Sequence, residues 1–528
     1  MHTNGFPQRR HGAASTACPW AIGLSALLLV ALLVQLPAGA TQWGYATTLP
    51  IPHGFPASTH EVINDVSCWA RSNCVAVGTI TVRENPEPVV VTEVQGRWDH
   101  AVRAMEPTDA SNGYGELTGV SCRSAGNCVS VGDYVAAGDN TTGMSVDEVG
   151  GTWLRGTVLP VPANSDKAFF VTLPASVSCP TASSCVAVGA YQTGGVLKGF
   201  LDTDASGTWS SVEAQAPANG NPAGSVLLRS VGCGASGDCE AVGSYVNNIG
   251  TTPIGLWESG GLWHKGVSVS VPSNGSGGSL NAVACPTPST CIAVGAYGIT
   301  VGSQLAGLTD AAVSGVWGVP GEAVPPKNAF PFQLTTLSAL ACATATTCVA
   351  GGQYTLNDVS FAHRDGGQTG VVLSETGGAW SRGVEANLPQ NAVEVASQIA
   401  QIAAVSCTAA ASKPCVVVGD YFATTGNAAF ASTPATPPGA PGITRVVDLV
   451  HGFDVTVRPP SSNGGLRIAT YQYSLDGGRT WRTRSSGTNS TTLVLGGLAA
   501  HRTYRLAVRA VTFAGIGPAS PVRRSTTA

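Results

Sequence analysis

Seven copies of a two-cysteine motif constrain the fold of this chain more than any other feature of its sequence. The first copy reads VSCWARSNCVAVGTI, with five residues between its cysteines, and only the last copy has seven. The copies begin at Val66, Val120, Val177, Val231, Val283, Leu340 and Val405. Their first cysteines are 52 to 65 residues apart, and periods of this length are typical of propellers or solenoids.

Each copy predicts four β-strands. An apolar residue three places before the motif, such as Ile63, marks the first strand, and the Cys-Val-Ala-Val-Gly run predicts a buried second strand. The third strand ends in a hairpin with glycine two residues before tryptophan, where the fourth strand begins. These tryptophans are Trp98, Trp153, Trp209, Trp263, Trp317 and Trp380. Four antiparallel strands are the size of one propeller blade.

The seventh copy lacks this hairpin tryptophan, and the N-terminal segment is expected to supply it. The segment WGYATTLP, from Trp43 to Pro50, matches WLRGTVLP from Trp153. A strand from this segment would complete the last blade and close the ring without an exposed edge. The sequence therefore predicts an all-β fold, a seven-bladed β-propeller with four antiparallel strands per blade, over residues 41–430.

The cysteines form seven local pairs, which we predict to be disulfides that staple each hairpin. The pairs are Cys68 and Cys74, Cys122 and Cys128, Cys179 and Cys185, Cys233 and Cys239, Cys285 and Cys291, Cys342 and Cys348, and Cys407 and Cys415. A closed loop this small contributes roughly 2 to 3 kcal/mol. Zinc is the rival interpretation, but its sites favour two to four residues between cysteines and additional ligands nearby.

The N-terminus predicts export. Arg9 and Arg10 precede an apolar run from about Trp20 to Leu36, and the run is followed by Pro37 and Ala38-Gly39-Ala40. This order is that of a secretory signal peptide over residues 1–40, cleaved near Ala40. The alternative is an uncleaved membrane anchor. Cleavage would leave a secreted or extracellular protein that is not inserted in a membrane and could associate with the cell surface.

The repeat region, from about Thr41 to Phe430, resembles secreted bacterial propellers with Asp-box or BNR-type repeats. Sialidases and photosystem-assembly propellers share that architecture. An Asp box reads S-x-D-x-G-x-T-W, and here the acid position is held by Glu93, Glu148, Asp204, Glu258 and Glu375, with Asp310 displaced by two residues. The serine is missing and glycine is one place late, so the boxes are degenerate. The resemblance implies that they are fold elements rather than catalytic ones.

A second domain follows a Pro-rich linker at residues 431–442. Residues 443–528 resemble a fibronectin type III β-sandwich, with FDVTVRPP from Phe453, YQYSLDGGRTW from Tyr471 and a tyrosine-corner spacing from Leu498 to Tyr504. The complete Asp-box string from Ser474 to Trp481 is interpreted as a hairpin between sandwich strands. The domain has 11 arginines and 3 aspartates, so we expect it to dock on an anionic cell-wall polymer.

The sequence assigns no catalytic, metal-ligating or cofactor-binding residue, and no cofactor is expected. A tyrosine follows the second strand of every copy except the first, and residues repeated in this way are interpreted as packing. The irregular insertion between copies six and seven holds the candidate ligand residues His363, Arg364 and Asp365. The formal net charge is only -4, without the concentrated basic face that nucleic acid requires.

These features favour a monomeric, non-enzymatic binding or scaffold protein whose ligand is an extracellular protein, a polysaccharide or the cell wall. Symmetric repeats offer a broad surface, and no asymmetric catalytic group stands out. The alternative is a glycan-active protein, either a sialidase-like glycoside hydrolase or an accessory protein of polysaccharide degradation. The resemblances favour this alternative. A cell-surface assembly factor is a third possibility.

Overall fold

The protein is all-β in the residues that its computed structural model describes. These residues are 42–52, 60–82, 85–166, 171–299, 304–330, 334–357, 367–393, 398–408, 415–484 and 490–528. They contain antiparallel strands and no α-helix, which confirms the predicted fold class at this level. In this part of the chain, therefore, no helix has the length and apolar character that a membrane crossing requires.

The strands of the repeat region form seven antiparallel sheets. The N-terminal strand β1 is Thr47–Thr48. Sheet 1 contains β2 (His60–Ala70), β3 (Asn73–Val82), β4 (Asn85–Val94), β5 (Arg97–Trp98) and β6 (Val102–Arg103). Sheet 2 contains β7 (Ala110–Ser124), β8 (Asn127–Ala136), β9 (Asn140–Val149), β10 (Thr152–Trp153) and β11 (Thr157–Val158). Sheet 3 contains β12 (Thr172–Thr181), β13 (Ser184–Thr193), β14 (Val196–Ala205) and β15 (Thr208–Glu213).

The same order continues through the next four sheets. Sheet 4 contains β16 (Val226–Ala235), β17 (Asp238–Val246), β18 (Thr251–Ser259), β19 (Leu262–Trp263) and β20 (Val267–Ser268). Sheet 5 contains β21 (Gly275–Thr287), β22 (Thr290–Ile299), β23 (Gln304–Val313), β24 (Val316–Trp317) and β25 (Gly321–Glu322). Sheet 6 contains β26 (Thr335–Thr344), β27 (Thr347–Thr355), β28 (Gln368–Thr376), β29 (Ala379–Trp380) and β30 (Val384–Glu385). Sheet 7 contains β31 (Ala400–Cys407), β32 (Cys415–Ala423), β33 (Gly426–Ser432) and the N-terminal β1.

The first strands of the seven sheets form a ring. Each of β2, β7, β12, β16, β21, β26 and β31 contacts the next, and β31 contacts β2. Serine hydroxyls before the first cysteine link neighbouring sheets: Ser67 accepts the backbone N–H of Cys122 at 2.9 Å, and Ser406 accepts that of Cys68 at 2.9 Å. The second bond joins sheet 7 to sheet 1, so the last and first sheets are linked by the same kind of hydrogen bond as sheets 1 and 2.

The N-terminal segment completes sheet 7. Strand β1 pairs with β33, with Thr47 opposite Ala431 and Thr48 opposite Phe430. Trp43 and Leu49 are both 2% exposed. Trp43 packs in the layer between sheets 6 and 7, where the other hairpin tryptophans pack between their own pairs of sheets. The residues that begin the described chain therefore fill the core position that the seventh repeat leaves empty.

All seven cysteine pairs form disulfides. The bonds are Cys68–Cys74, Cys122–Cys128, Cys179–Cys185, Cys233–Cys239, Cys285–Cys291, Cys342–Cys348 and Cys407–Cys415. Each pair joins the first two strands of its own sheet, with the two Cα atoms of Cys68 and Cys74 4.0 Å apart. Each bond therefore pins one hairpin and links no sheet to another.

The C-terminal region contains two sheets of its own. One contains β34 (Gly442–Leu449), β35 (Gly452–Arg458) and β38 (Thr492–Gly496); the other contains β36 (Thr470–Ser474), β37 (Arg482–Thr483), β39 (Thr503–Thr512), β40 (Gly515–Ala519) and β41 (Arg523–Thr526). Their shared core includes Phe453, Tyr471 and Leu506. The hydroxyl of Tyr504 accepts the backbone N–H of Ala499 at 3.1 Å, which is the bond that a tyrosine corner makes.

Three carboxyls lie in the apolar layers between sheets. Glu61, Asp202 and Glu240 are 0 to 1% exposed, and none of their oxygens makes a hydrogen bond of good geometry within the described residues. The Ser211 hydroxyl near Asp202 and the Trp317 indole N–H near Glu240 offset only part of the effect of burial. Burial raises the pKa of each to about 8. The position of Glu240 is held in the other copies by Val75, Val129, Val186, Ile292, Val349 and Val416. Glu240 is therefore a departure from the repeat that opposes folding.

We expect Glu240→Val to stabilise the protein. A carboxyl whose pKa rises from 4.5 to about 8 takes up a proton on folding at pH 7, at a cost of roughly 3 kcal/mol. Thermal denaturation at pH 7 should show a higher melting temperature for Glu240→Val than for wild type. The matched variant Glu240→Gln keeps a buried polar group and should gain less. A lower melting temperature for Glu240→Val would show that the carboxyl has a stabilising partner.

Candidate functional site

A cleft lies where sheets 1 and 7 meet the C-terminal region. It consists of two adjoining cavities of about 210 and 350 Å³. The cavities share the side chains of Glu93, Val416 and Thr433. The first cavity lies beside Cys68 and Cys74, and the second lies along the N-terminal strand β1. We call these two cavities the seam cleft.

Glu93 is the carboxyl of the seam cleft. It lies in β4, opposite Cys74 on one side and Trp98 on the other, and it is 4% exposed. Burial raises its pKa to about 7. The equivalent Glu148, Glu258 and Glu375 each have one fully enclosed oxygen without a hydrogen-bond partner. Neither oxygen of Glu93 is enclosed in this way. Its carboxyl therefore reaches the cavities, where it can donate or accept a hydrogen bond near neutral pH.

Aromatic and cationic side chains line the same two cavities as this carboxyl. Tyr45 is 41% exposed, and the half-buried Trp98 lies on the same cavity. The guanidinium of Arg467 lies 5.6 Å from the centre of the Tyr45 ring. Arg71 and Arg97 are exposed and line one cavity each. The cleft thus combines stacking surfaces, positive charge and one buried carboxyl.

The C-terminal region forms one wall of the cleft through the loop that contains Gly464. The N–H of Tyr45 donates to the carbonyl of Gly465 at 2.7 Å, and the N–H of Thr436 donates to that of Gly464 at 2.8 Å. Gly464 has a φ of 71°, and a Cβ there would lie 1.8 Å from the carbonyl oxygen of Thr436. Only glycine fits this position. The segment between β33 and β34 is therefore held by hydrogen bonds along the cleft.

The predicted hairpin carboxylates lie apart from one another, one per sheet, each beside its tryptophan. Glu148 is opposite Trp153, and Glu258 is opposite Trp263. Asp310 does not share this position, because Ala312 is the residue opposite Trp317. Asp310 instead lies two residues earlier in β23, where it faces Ala293. The seam cleft therefore contains one of these carboxylates and no second one among the described residues that line it.

The repeated tyrosines are buried and hydrogen-bonded. Tyr191 donates to Asn164 at 2.8 Å or Glu213 at 2.9 Å, and Tyr354 makes the equivalent bonds to Asn328 and Glu385. The asparagines belong to a Pro-x-Asn motif that our sequence reasoning missed. It occurs at Pro162, Pro217, Pro272, Pro326 and Pro389, and as Pro-x-Asp at Pro107. The tyrosines are therefore structural, as their repetition indicated.

The candidate residues His363, Arg364 and Asp365 lie outside the described residues, as does the signal segment. In the described part of the chain, no group of three or more His, Cys, Asp or Glu could hold a metal ion. The seam cleft was not predicted, because its walls come from Tyr45, Glu93 and Gly464, which no repeat period relates. The only sequence signal for it was the position of the N-terminal strand.

The arginine-rich region has a second polar surface. The guanidinium of Arg509 stacks over Trp481 at 4.1 Å and donates to Gln472 at 2.8 Å. Arg505 and Arg524 are direct cross-strand neighbours on β39 and β41. Asp476 lies beside Arg505 in an isolated β-bridge. Its carboxylate accepts hydrogen bonds from its own hairpin, mainly from Thr480, and these hold its pKa well below the usual range, so it stays ionised and offsets part of this positive charge. This hairpin joins β36 and β37.

Comparisons with known proteins give no family. No protein-family model and no curated protein matches the chain. Similar solved structures include a protein of unknown function from Dyadobacter fermentans, with 10% identity, a TM-score of 0.41 and coverage of 65% of this chain and 100% of that chain. A PL25 ulvan lyase, a polysaccharide lyase, has 10% identity, a TM-score of 0.44 and coverage of 75% and 94%. YCF48 from Cyanidioschyzon merolae has 11% identity, a TM-score of 0.38 and coverage of 74% and 98%. At these values none of the three indicates a ligand or an activity for this chain.

Proposed function

We propose that the protein is an exported, non-enzymatic binding protein that holds an acidic, hydroxyl-rich glycan in the seam cleft. The observation that carries this proposal is the placement of Glu93 between two cavities that also have aromatic and arginine side chains. Sugar rings stack on aromatic faces, guanidinium groups pair with the carboxylates of acidic sugars, and a carboxyl binds sugar hydroxyls. Ligand sites combine such apolar surfaces with a few placed polar groups.

In this proposal the ring of seven sheets is a seven-bladed β-propeller, and the C-terminal region is a fibronectin type III domain. The contacts of β31 with β2 and the pairing of β1 with β33 support a closed propeller. The Tyr504 bond and the two-sheet core support the second assignment. The second domain would then shape the cleft wall and add positive charge that attracts an anionic polymer.

The seven disulfides favour an oxidising compartment outside the cytosol, which fits an exported protein. Seven disulfides persist in oxidising surroundings and are rare in the reducing cytosol. Signal cleavage near Ala40 would place the mature N-terminus just before Trp43, which enters the core between sheets 6 and 7. We expect the mature protein to be a monomer.

The second candidate function is glycoside hydrolysis in the same cleft. The pKa of about 7 for Glu93 suits a general acid near neutral pH. Most glycosidases, however, need a second carboxyl about 5 to 9.5 Å away. Glu93 is the only carboxyl among the described residues lining the two cavities. The side chains present therefore favour binding.

Substitutions in the cleft test the site. A glycan array would select the ligand, and calorimetry would compare its affinity for the wild type, Tyr45→Ala and Glu93→Gln. Removing a stacking ring or an engaged polar group costs about 1 to 3 kcal/mol, so we expect affinity to fall about fivefold or more in both variants. Glu148→Gln is the matched control, because Glu148 holds the same hairpin position in sheet 2.

Two outcomes would contradict the proposal. Unchanged affinity in both Tyr45→Ala and Glu93→Gln would place the glycan elsewhere. An equal loss in Glu148→Gln would show that the effect belongs to the hairpin position and its stability, and not to the cleft. Circular dichroism of each variant would establish that the fold is intact.

A further inference from the structure

The ring of first strands surrounds a central cavity of about 190 Å³. All seven first strands contribute residues to its lining. Each of these strands has a β-bulge at the same place, and the bulged residues are Asn64, Thr118, Ala175, Arg229, Asn281, Ser338 and Ala403. All seven bulged residues line the cavity. Bulges re-aim side chains, and here they bring one residue per sheet to the axis of the ring.

Four of the bulged residues link neighbouring sheets. The side chain of each donates a hydrogen bond to a backbone carbonyl in the first strand of the next sheet. Asn64 donates to Leu117 at 2.8 Å, and Thr118 donates to Pro174 at 2.8 Å. Asn281 and Ser338 donate in the same way to the next sheet, at 2.9 and 2.8 Å. Short polar side chains at the bulge therefore link neighbouring strands around the cavity.

Arg229 occupies the same position without performing this task. It is exposed to the cavity, and it has no hydrogen bond or ion pair within the described chain. Its neighbours on the adjoining sheets are Ala175 and Asn281. A long guanidinium is not needed to join the strands, because asparagine, threonine or serine does so elsewhere. Its charge is therefore available to a ligand.

The only carboxyl among the described residues of this cavity is already engaged. Asp65 accepts the N–H of Val66 with one oxygen and that of Val120 with the other, both at 2.8 Å. Asp65 belongs to sheet 1, whereas Arg229 belongs to sheet 4, so sheets 2 and 3 lie between them on one side of the ring and sheets 5 to 7 on the other. Asp65 therefore does not adjoin Arg229 in the ring, and both of its oxygens already accept backbone N–H groups.

We propose that the central cavity binds a small oxyanion, a carboxylate or a phosphate, through the guanidinium of Arg229. The planar guanidinium can donate two parallel hydrogen bonds to either group. Ser176 and Ser230 also line the cavity. Their hydroxyls accept the backbone N–H of Val231 at 3.4 Å and of Val283 at 3.1 Å, and each keeps its own hydrogen to donate. The site is separate from the seam cleft and does not depend on the glycan proposed there.

Calorimetric titration with sodium phosphate and with sodium acetate, at matched ionic strength, tests the site. The mature wild type should bind at least one of the two anions at one site, and the anion that binds identifies the ligand class. Arg229→Asn should weaken this binding at least tenfold. Asparagine at position 229 can donate to the next strand as Asn281 does, so this variant should melt no lower than the wild type. Lys265→Gln, which removes an exposed positive charge from sheet 4, should bind as the wild type does.

The proposal is wrong if Arg229→Asn binds both anions as tightly as the wild type, or if the wild type binds neither. It is also wrong if Lys265→Gln loses as much affinity as Arg229→Asn, because the binding would then reflect overall charge. Tyr45→Ala should leave anion binding unchanged, which separates this site from the seam cleft.

Discussion

Removal of Trp43–Pro50 is expected to lower the melting temperature of the mature protein by on the order of 10 °C or more. The deletion takes away β1 and the buried side chains of Trp43 and Leu49. Truncation of a buried tryptophan or leucine alone costs about 2 to 5 kcal/mol. The loss of β1 also leaves β33 with an unpaired edge in place of a closed sheet. Differential scanning calorimetry under non-reducing conditions would measure the change.

The control for this deletion is Tyr45→Ala. Tyr45 lies in the same segment but is 41% exposed, so its truncation should change the melting temperature little. Trp43→Ala should reproduce much of the effect of the deletion. An unchanged melting temperature after deletion of the whole segment would contradict closure of the ring by the N-terminal strand.

Stability should fall as the pH rises from about 5 to 8. The pKa values of Glu61, Asp202 and Glu240 are raised to about 8 by burial. Between about pH 4.5 and 8 the folded chain therefore holds protons that the unfolded chain has released. Each such group lowers the free energy of unfolding by up to about 1.4 kcal/mol per pH unit in this range. The contribution of these groups to the free energy of unfolding is therefore at its most favourable below about pH 4, where they are protonated in both states, and it declines until the pH approaches 8.

Urea denaturation at pH 5, 6, 7 and 8 would measure this slope. Glu240→Val removes one of these carboxyls and should make the dependence shallower, while Asp65, Glu93 and Asp133, whose pKa values burial also raises, keep their contributions. Glu148→Gln serves as the comparison, because burial raises the pKa of the Glu148 carboxyl by less. A free energy of unfolding that rises from pH 5 to 8 would show that the three carboxyls are ionised and paired in the folded protein.

The repeat made much of the architecture predictable. A two-cysteine motif that recurs with its apolar strand fixes strand direction and hairpin position in every copy, so the antiparallel sheets and cysteine pairs could be placed without any long-range information. The match of Trp43 to the hairpin tryptophans extended this reasoning to the N-terminus. The Pro-x-Asn motif is also visible in the sequence, but its partner tyrosine lies about 25 residues away, outside the hairpin that contains the cysteine pair.

The seam cleft could not be predicted in this way. Tyr45, Glu93 and Gly464 come from three segments with different structures, and their meeting depends on how the C-terminal region packs against the closed ring. Departures from the repeat are more informative about function than the repeat itself. Glu240 replaces the valine or isoleucine of the other copies, and Arg229 replaces the short side chains that they have at the bulge. The first change opposes folding, and the second brings a positive charge to the central cavity.

The most direct test of binding without catalysis is a glycan array with the mature protein, followed by mass spectrometry of the glycan recovered from the complex. The proposed function predicts that acidic glycans are retained, that Glu93→Gln loses them, and that the recovered glycan is intact. Cleavage of the retained glycan by the wild type, or retention of no glycan at all, would contradict it.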